Sequence, residues 1–131
     1  MSKASKKVKP TFLAHFSKQL LFEKSFEFGE HNGLGLVPGF VKKFNAKHRL
    51  PVVGWYKTKS KNKTINNKYM YHTHSFYCKP KINKMILSTT KYDNINYCSS
   101  VLYKNILAFQ FHPEKSGYDG IKLLKYFPNF F

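Results

Sequence analysis

Residues 109–117 read Phe-Gln-Phe-His-Pro-Glu-Lys-Ser-Gly, which sets an imidazole and a carboxylate two positions apart around a proline. In an extended chain side chains alternate between faces, so His112 and Glu114 are expected to project to the same side. Pro113 fixes its own φ and offers no N–H to a neighbouring strand, so a sheet ladder is expected to end there. A carboxylate beside an imidazole holds the ring in one tautomer and orientation. That is the support a histidine needs to take a proton from a nucleophile and return it to a leaving amine. The bare triplet also reads as nothing more than a strand end and a turn.

The elements that must position this pair are a strand over Ile106–Phe111 and a closing helix, with Ser116 as its expected cap and Ile121, Leu124 and Phe127 on one side. Val41–Phe44, Leu50–Trp55, Tyr69–Cys78, Met85–Thr90 and Tyr97–Tyr103 also read as strands, rich in aromatic and β-branched residues. Lys104–Asn105 is expected to make a tight hairpin. An apolar stretch from Val8 to Phe16 reads as a further strand. Ser17 then caps an expected helix to about Phe28 on the strength of Leu20, Leu21, Glu23, Lys24 and Glu27. Glycines and prolines from Gly29 to Gly39 break it. The polar run from Lys57 to Lys68 reads as an exposed loop. One helix, a series of strands and a last helix look like the second half of an α/β domain, lacking the βαβ units that build the centre of such a sheet.

At 131 residues the chain holds one domain, with 1–10 expected as a basic flexible lead and 11–131 as the folded part. Hydrophobic content of 42% excludes a disordered class. No apolar run reaches the length of a membrane span and no signal-peptide pattern opens the chain, so a cytoplasmic protein is expected. Cys78 and Cys98 lack metal-ligand spacing and read as reduced core thiols. The net charge of +17 points towards nucleic acid. Against that, Arg49 is the one arginine among the 23 basic residues, and arginine is the usual reader of phosphates and bases. The lysine excess is therefore read first as solvated surface.

The segment from Phe109 to Phe127 resembles the C-terminal signature of the class I glutamine amidotransferases, and within them the HisH subunits of imidazole glycerol phosphate synthases. The similarity runs from about Phe12 to Phe127. Gln19–Glu23, Glu27–His31 and Gly33–Gly39 resemble the family's segment after its nucleophile. Leu50–Trp55 resembles its Pro-His-Met-Gly-Trp-Asn motif, with Val52 and Val53 replacing His-Met and Tyr56 at the Asn. Tyr71–Tyr77, with His74–Ser75–Phe76, resembles its Tyr-x-x-His-Ser-Tyr strand.

The resemblance implies a flavodoxin-like α/β fold, a mixed sheet with flanking helices, of which this chain is the C-terminal portion without the N-terminal βαβ units. It implies His112 and Glu114 as the second and third members of a Cys-His-Glu triad. It also implies Gln19, Glu27, His74, Ser75 and Phe76 as the residues that hold glutamine. Trp55, Tyr71 and Lys115 fall on the face that meets a HisF-like (β/α) barrel cyclase in a heterodimer, where ammonia is handed over for histidine biosynthesis. No cofactor and no metal is implied. Taken singly, Gln19 and Glu27 read as solvated helix positions, Trp55 and Tyr71 as core, and Lys115 as a surface charge.

One departure falls on the chemistry itself. The family pattern Gly-x-Cys-x-Gly-x-Gln, counted back from Gln19, puts the nucleophile at His15 and its glycines at Leu13 and Ser17. The strained elbow that exposes such a nucleophile needs small neighbours, and an imidazole does not replace a thiolate as acyl acceptor. No cysteine precedes Cys78, and the family's glycine-rich oxyanion loop has no counterpart here. Losing one oxyanion donor alone costs about a hundred- to a thousand-fold in rate. The expectation is a truncated HisH-like domain with no glutaminase activity by itself. A HisH-like paralogue serving surface-sugar biosynthesis and a non-catalytic basic binding protein or decayed gene product are the alternatives.

Overall fold

A computed structural model describes residues 11–13, 22–25, 30–45 and 49–126. The expected lead over 1–10 lies outside them, as do His15, Gln19 and Glu27.

Among the described residues ten strands form one mixed sheet. In chain order they are β1 (Thr11–Leu13), β2 (Phe22–Ser25), β3 (His31–Asn32), β4 (Val37–Lys43), β5 (Val52–Lys59), β6 (Tyr69–His74), β7 (Phe76–Pro80), β8 (Ile86–Tyr92), β9 (Ile95–Tyr103) and β10 (Ile106–Phe109). Their spatial order is β3-β2-β4-β7-β9-β8-β5-β6, and β10 joins β9 to β1. β1 runs parallel to β10 and β2 parallel to β4; the other pairs are antiparallel. A helix, α1 (Gly117–Tyr126), closes the described chain.

β9 is the axis of the sheet. Along one side it pairs with β8; along the other it meets β7 at Cys98↔Cys78 and then β10 from Ser100 to Tyr103. Two-residue turns at Asp93–Asn94 and Lys104–Asn105 feed it, and positive φ at Asp93, Asn94 and Lys104 suits tight hairpins.

Every residue of β10 is buried, and they alternate between two cores. Ile106 and Ala108 join Phe22, Val37, Val41, Cys78, Cys98 and Val101 on one face. Leu107 and Phe109 join Ile65, Met70, Phe111 and Leu123 on the other. Such double-sided burial explains the unbroken apolar run of a strand with a parallel neighbour. A third cluster, Phe44, Val52 and Tyr97, has Tyr56, Tyr77 and Tyr92 packed on it.

Four local expectations are corrected. Of the helix expected over 17–28 only Phe22–Ser25 lies among the described residues, and there the chain is a strand, because Phe22 is drawn into the core and the backbone pairs with β4. The strand expected over Tyr69–Cys78 breaks at Ser75, after which β6 stays with β5 while β7 pairs with β4 and β9. The loop expected over Lys57–Lys68 begins as β5 and then folds back on a buried Ile65. Thr58 Oγ1 donates to the Ile65 carbonyl and Thr58 N to that of Lys68. Finally, α1 buries Gly120 and Leu123, while Ile121 is half exposed and Phe127 lies outside the described residues.

Candidate active site

β10 ends at Phe109, but the chain stays tied to the sheet for three more residues. Gln110 N donates to Ser99 O at 2.8 Å, Phe111 is fully buried, and His112 N donates to Tyr71 O on β6 at 2.9 Å. Pro113–Lys115 then form a single 3₁₀ turn with proline at its start, where a missing N–H costs nothing. Extended alternation is therefore not what brings the pair together. His112 is extended, Glu114 is the middle residue of the turn, and the curl carries the carboxylate back to the ring.

The result is a hydrogen bond of 2.8 Å from His112 Nδ1 to Glu114 Oε2. It fixes the proton on Nδ1, and the second ring nitrogen, Nε2, is buried. The His112 side chain is 11% exposed and that of Glu114 52%. Burial pushes the Glu114 carboxyl up, but the His112 hydrogen bond, the backbone N–H of Glu114 and the charges of His112 and Lys115 outweigh it. The carboxyl is held below its ordinary value.

The turn is clamped from two sides. Ser116, expected as the cap of α1, uses its hydroxyl elsewhere: Tyr71 N donates to Oγ at 2.9 Å, and Oγ donates to His112 O. Tyr71 thus holds the histidine turn through its N–H and its C=O together. From the other side α1 rides directly on the turn. A Cβ at Gly120 would sit 2.0 Å from Pro113 O and 2.7 Å from Ser116 Cβ, so only glycine permits this approach. Neither Ser116 nor Gly120 is among the site residues expected from the sequence; the spacing Ser116-x-x-x-Gly120, one helical turn, is the signal that could have found them.

Trp55 and Tyr71, cross-strand partners on β5 and β6, meet edge to face with ring centroids 5.9 Å apart. The Trp55 ring reaches over Gly117, whose φ of +65° and bare Cα face it. Trp55 is half exposed, so neither it nor the partly exposed Tyr71 is a core residue. Lys115 projects from the same turn as Glu114 and is exposed.

The remaining expected residues stand further along β6. His74 is buried: Nδ1 donates to Phe76 O at 2.9 Å, while Nε2 lies 3.2 Å from Tyr97 Oη and 3.1 Å from His72 Nδ1. Tyr97 Oη is also 2.9 Å from His72 Nδ1, and burial pushes this phenol far up, with the charges of Tyr56 and Tyr92 adding to the effect. Ser75 sits at the corner between β6 and β7, where its carbonyl accepts from Phe44 N at 3.2 Å. Phe76 packs half buried on the first core. Cys78 and Cys98 are reduced thiols at paired positions of β7 and β9, buried in that core.

Comparison with known proteins gives a consistent picture. Residues 27–127 match the family model of the class I glutamine amidotransferases. The chain is 39% identical to imidazole glycerol phosphate synthase subunit HisH of Bacillus cytotoxicus, over 97% of this chain and 63% of that protein. It is 37% identical to the HisH subunit of Chlorobium luteolum, over 83% and 58%, and 38% identical to that of Aquifex aeolicus, over 83% and 55%. It therefore spans less than two thirds of the length of these relatives. A crystal structure of a glutamine amidotransferase superposes with a TM-score of 0.68 at 16% identity, covering 97% of this chain and 63% of that one, a likeness of fold.

Proposed function

The chain belongs to the class I glutamine amidotransferase family, and from that premise we propose that it is a HisH-type glutaminase domain whose partner is a (β/α) barrel cyclase of histidine biosynthesis. The observation that carries the reading is the His112–Glu114 hydrogen bond on a turn clamped to β6. In this reading Glu114 keeps the proton on Nδ1. Nε2 takes the proton from a sulfur nucleophile and returns it to the departing ammonia. Gln19 and Glu27 hold the glutamine substrate, and Ser75 with Phe76, next to His74, form the wall that fixes its main chain. Trp55, Tyr71 and Lys115 meet the barrel, and the complex works in the cytoplasm. Among the described residues no helix is long and apolar enough to cross a membrane.

The sulfur nucleophile is not in this sequence at the expected place, and the two cysteines it has are core residues. This chain by itself is therefore a partner-binding domain with half of a catalytic apparatus. The test is to mix the purified chain with a HisF-type barrel subunit, follow complex formation by gel filtration, and assay ammonia release from glutamine. A complex weakened by Trp55→Ala, with no ammonia released, agrees with the proposal. Glutamine hydrolysis abolished by His112→Ala would show that the chain carries a nucleophile after all. Failure to bind any such barrel would remove the partner assignment.

A further inference from the structure

A groove separate from the His112 turn opens between the end of β5, the 60–62 segment, the 3₁₀ turn before β8 and β8 itself, with a volume of about 660 Å³. That is in the range of small-molecule sites. Lys59, Lys61 and Lys84, all exposed, line it, and among the described residues no carboxylate does. Ile86 and Leu87 of β8 also line it, both partly buried and packed on opposite faces of the sheet, so the groove runs along the edge of that strand. Asn62 and Asn83 also line it.

The wall is built before any ligand arrives. Ser60 Oγ donates to Leu87 O at 2.6 Å, pinning the segment to β8, and accepts from Asn62 N at 3.0 Å. Ser60 N donates to Asn66 Oδ1 at 3.0 Å, and Asn62 Oδ1 accepts from Thr64 N at 2.9 Å. With that oxygen engaged, the group Asn62 offers a ligand is its NH₂ donor. Lys59 is steadied by Asn67 Oδ1 at 3.0 Å. Buried Ile65 anchors the segment from below.

We propose that this groove binds a small organic phosphate, with the phosphate among the lysines and the organic body along the edge of β8. Lysines act on phosphate as point charges and need no planar fork, so the lack of arginine fits such a ligand. Amide donors suit the hydroxyls of a sugar or nucleoside. A single-stranded nucleic acid is the less favoured occupant because among the described residues no aromatic ring lines the groove for bases to stack on.

The experiment is an NMR titration of the uniformly ¹⁵N-labelled full chain with ADP at 0.15 M salt, with inorganic phosphate and a twenty-nucleotide oligothymidylate as parallel probes. Shifts confined to 59–62 and 83–89, stronger for ADP than for phosphate, are expected. Lys61→Glu with Lys84→Glu should weaken ADP binding at least tenfold, and Lys122→Glu on α1 should leave it unchanged. Shifts spread over lysines elsewhere, equal losses from Lys122→Glu, tighter binding of the oligonucleotide than of ADP, or no saturable binding would each overturn the proposal.

Discussion

The α-carbon of Gly120 faces the carbonyl of Pro113 so closely that a methyl group there would lie 2.0 Å from the oxygen. The helix is thus seated on the backbone of the histidine turn with no side chain between them. Gly120→Ala must either lift α1 or displace the turn. It should destabilise the chain by about 2–3 kcal/mol, the upper part of the usual overpacking range, read from the urea unfolding midpoint.

Ser116→Ala removes the hydroxyl that links Tyr71 N to His112 O. A buried backbone donor left without its acceptor costs about 1–3 kcal/mol. The loss should be local as well as global. Amide exchange at Tyr71 and His112 should accelerate before exchange in β9 changes, whereas Ser60→Ala should leave both amides as they were.

The Glu114 carboxyl is held below its ordinary value in the folded chain, so the unfolded state binds the proton first as pH falls. Its contribution is fully present above the ordinary carboxylate range and is lost as pH drops through the lowered folded value. Glu114→Gln should therefore flatten the acid side of the stability profile, with its full cost at neutral pH, where the carboxylate of both states is ionised, and with the difference from the parent chain closing as pH falls through the lowered folded value. With the side chain half exposed, solvent screening keeps the effect under about 1 kcal/mol. Urea midpoints at a series of pH values from neutral to about 3 give the comparison.

Tyr97→Phe takes away the hydroxyl that stands 2.9 Å from His72 Nδ1 and 3.2 Å from His74 Nε2. The ring keeps its edge-to-face contact with Phe44, so the packing term stays. The expected cost is about 1–2 kcal/mol of lost buried hydrogen bonding. A larger fall would show that the hydroxyl also orders the aromatic cluster, which near-ultraviolet circular dichroism would register.

The sequence made the strands legible where aromatic and β-branched residues cluster, as in β9, and made the His112–Glu114 pair legible through its motif. It did so partly for the wrong local reason, since a 3₁₀ turn and not strand alternation closes the pair. Helix propensity misled at Phe22–Ser25 because the preferences of Glu23 and Lys24 amount to tenths of a kcal/mol each, less than burying Phe22 and pairing with β4. There the Glu23 carboxylate accepts from Gly39 N at 3.0 Å, a contact sixteen residues away that no local rule contains. Ile65 was hidden in a polar run for the same reason: its burial is decided by Met70, Leu107 and Phe111. The buried face of α1 was missed because Leu123 and Leu124 are indistinguishable by type, and the close approach at Gly120 chooses between them.

β6 is the outermost strand on its side of the sheet, and Tyr71 turns its N–H and C=O outward to Ser116 and His112. An uncovered strand edge is a template on which foreign chains add. Here the imidazole's own turn occupies that template at Tyr71, so any polypeptide zipping onto β6 must first evict the histidine. Guarding against unwanted polymerisation and keeping the imidazole in place are then a single task, and a lesion that loosens one exposes the other.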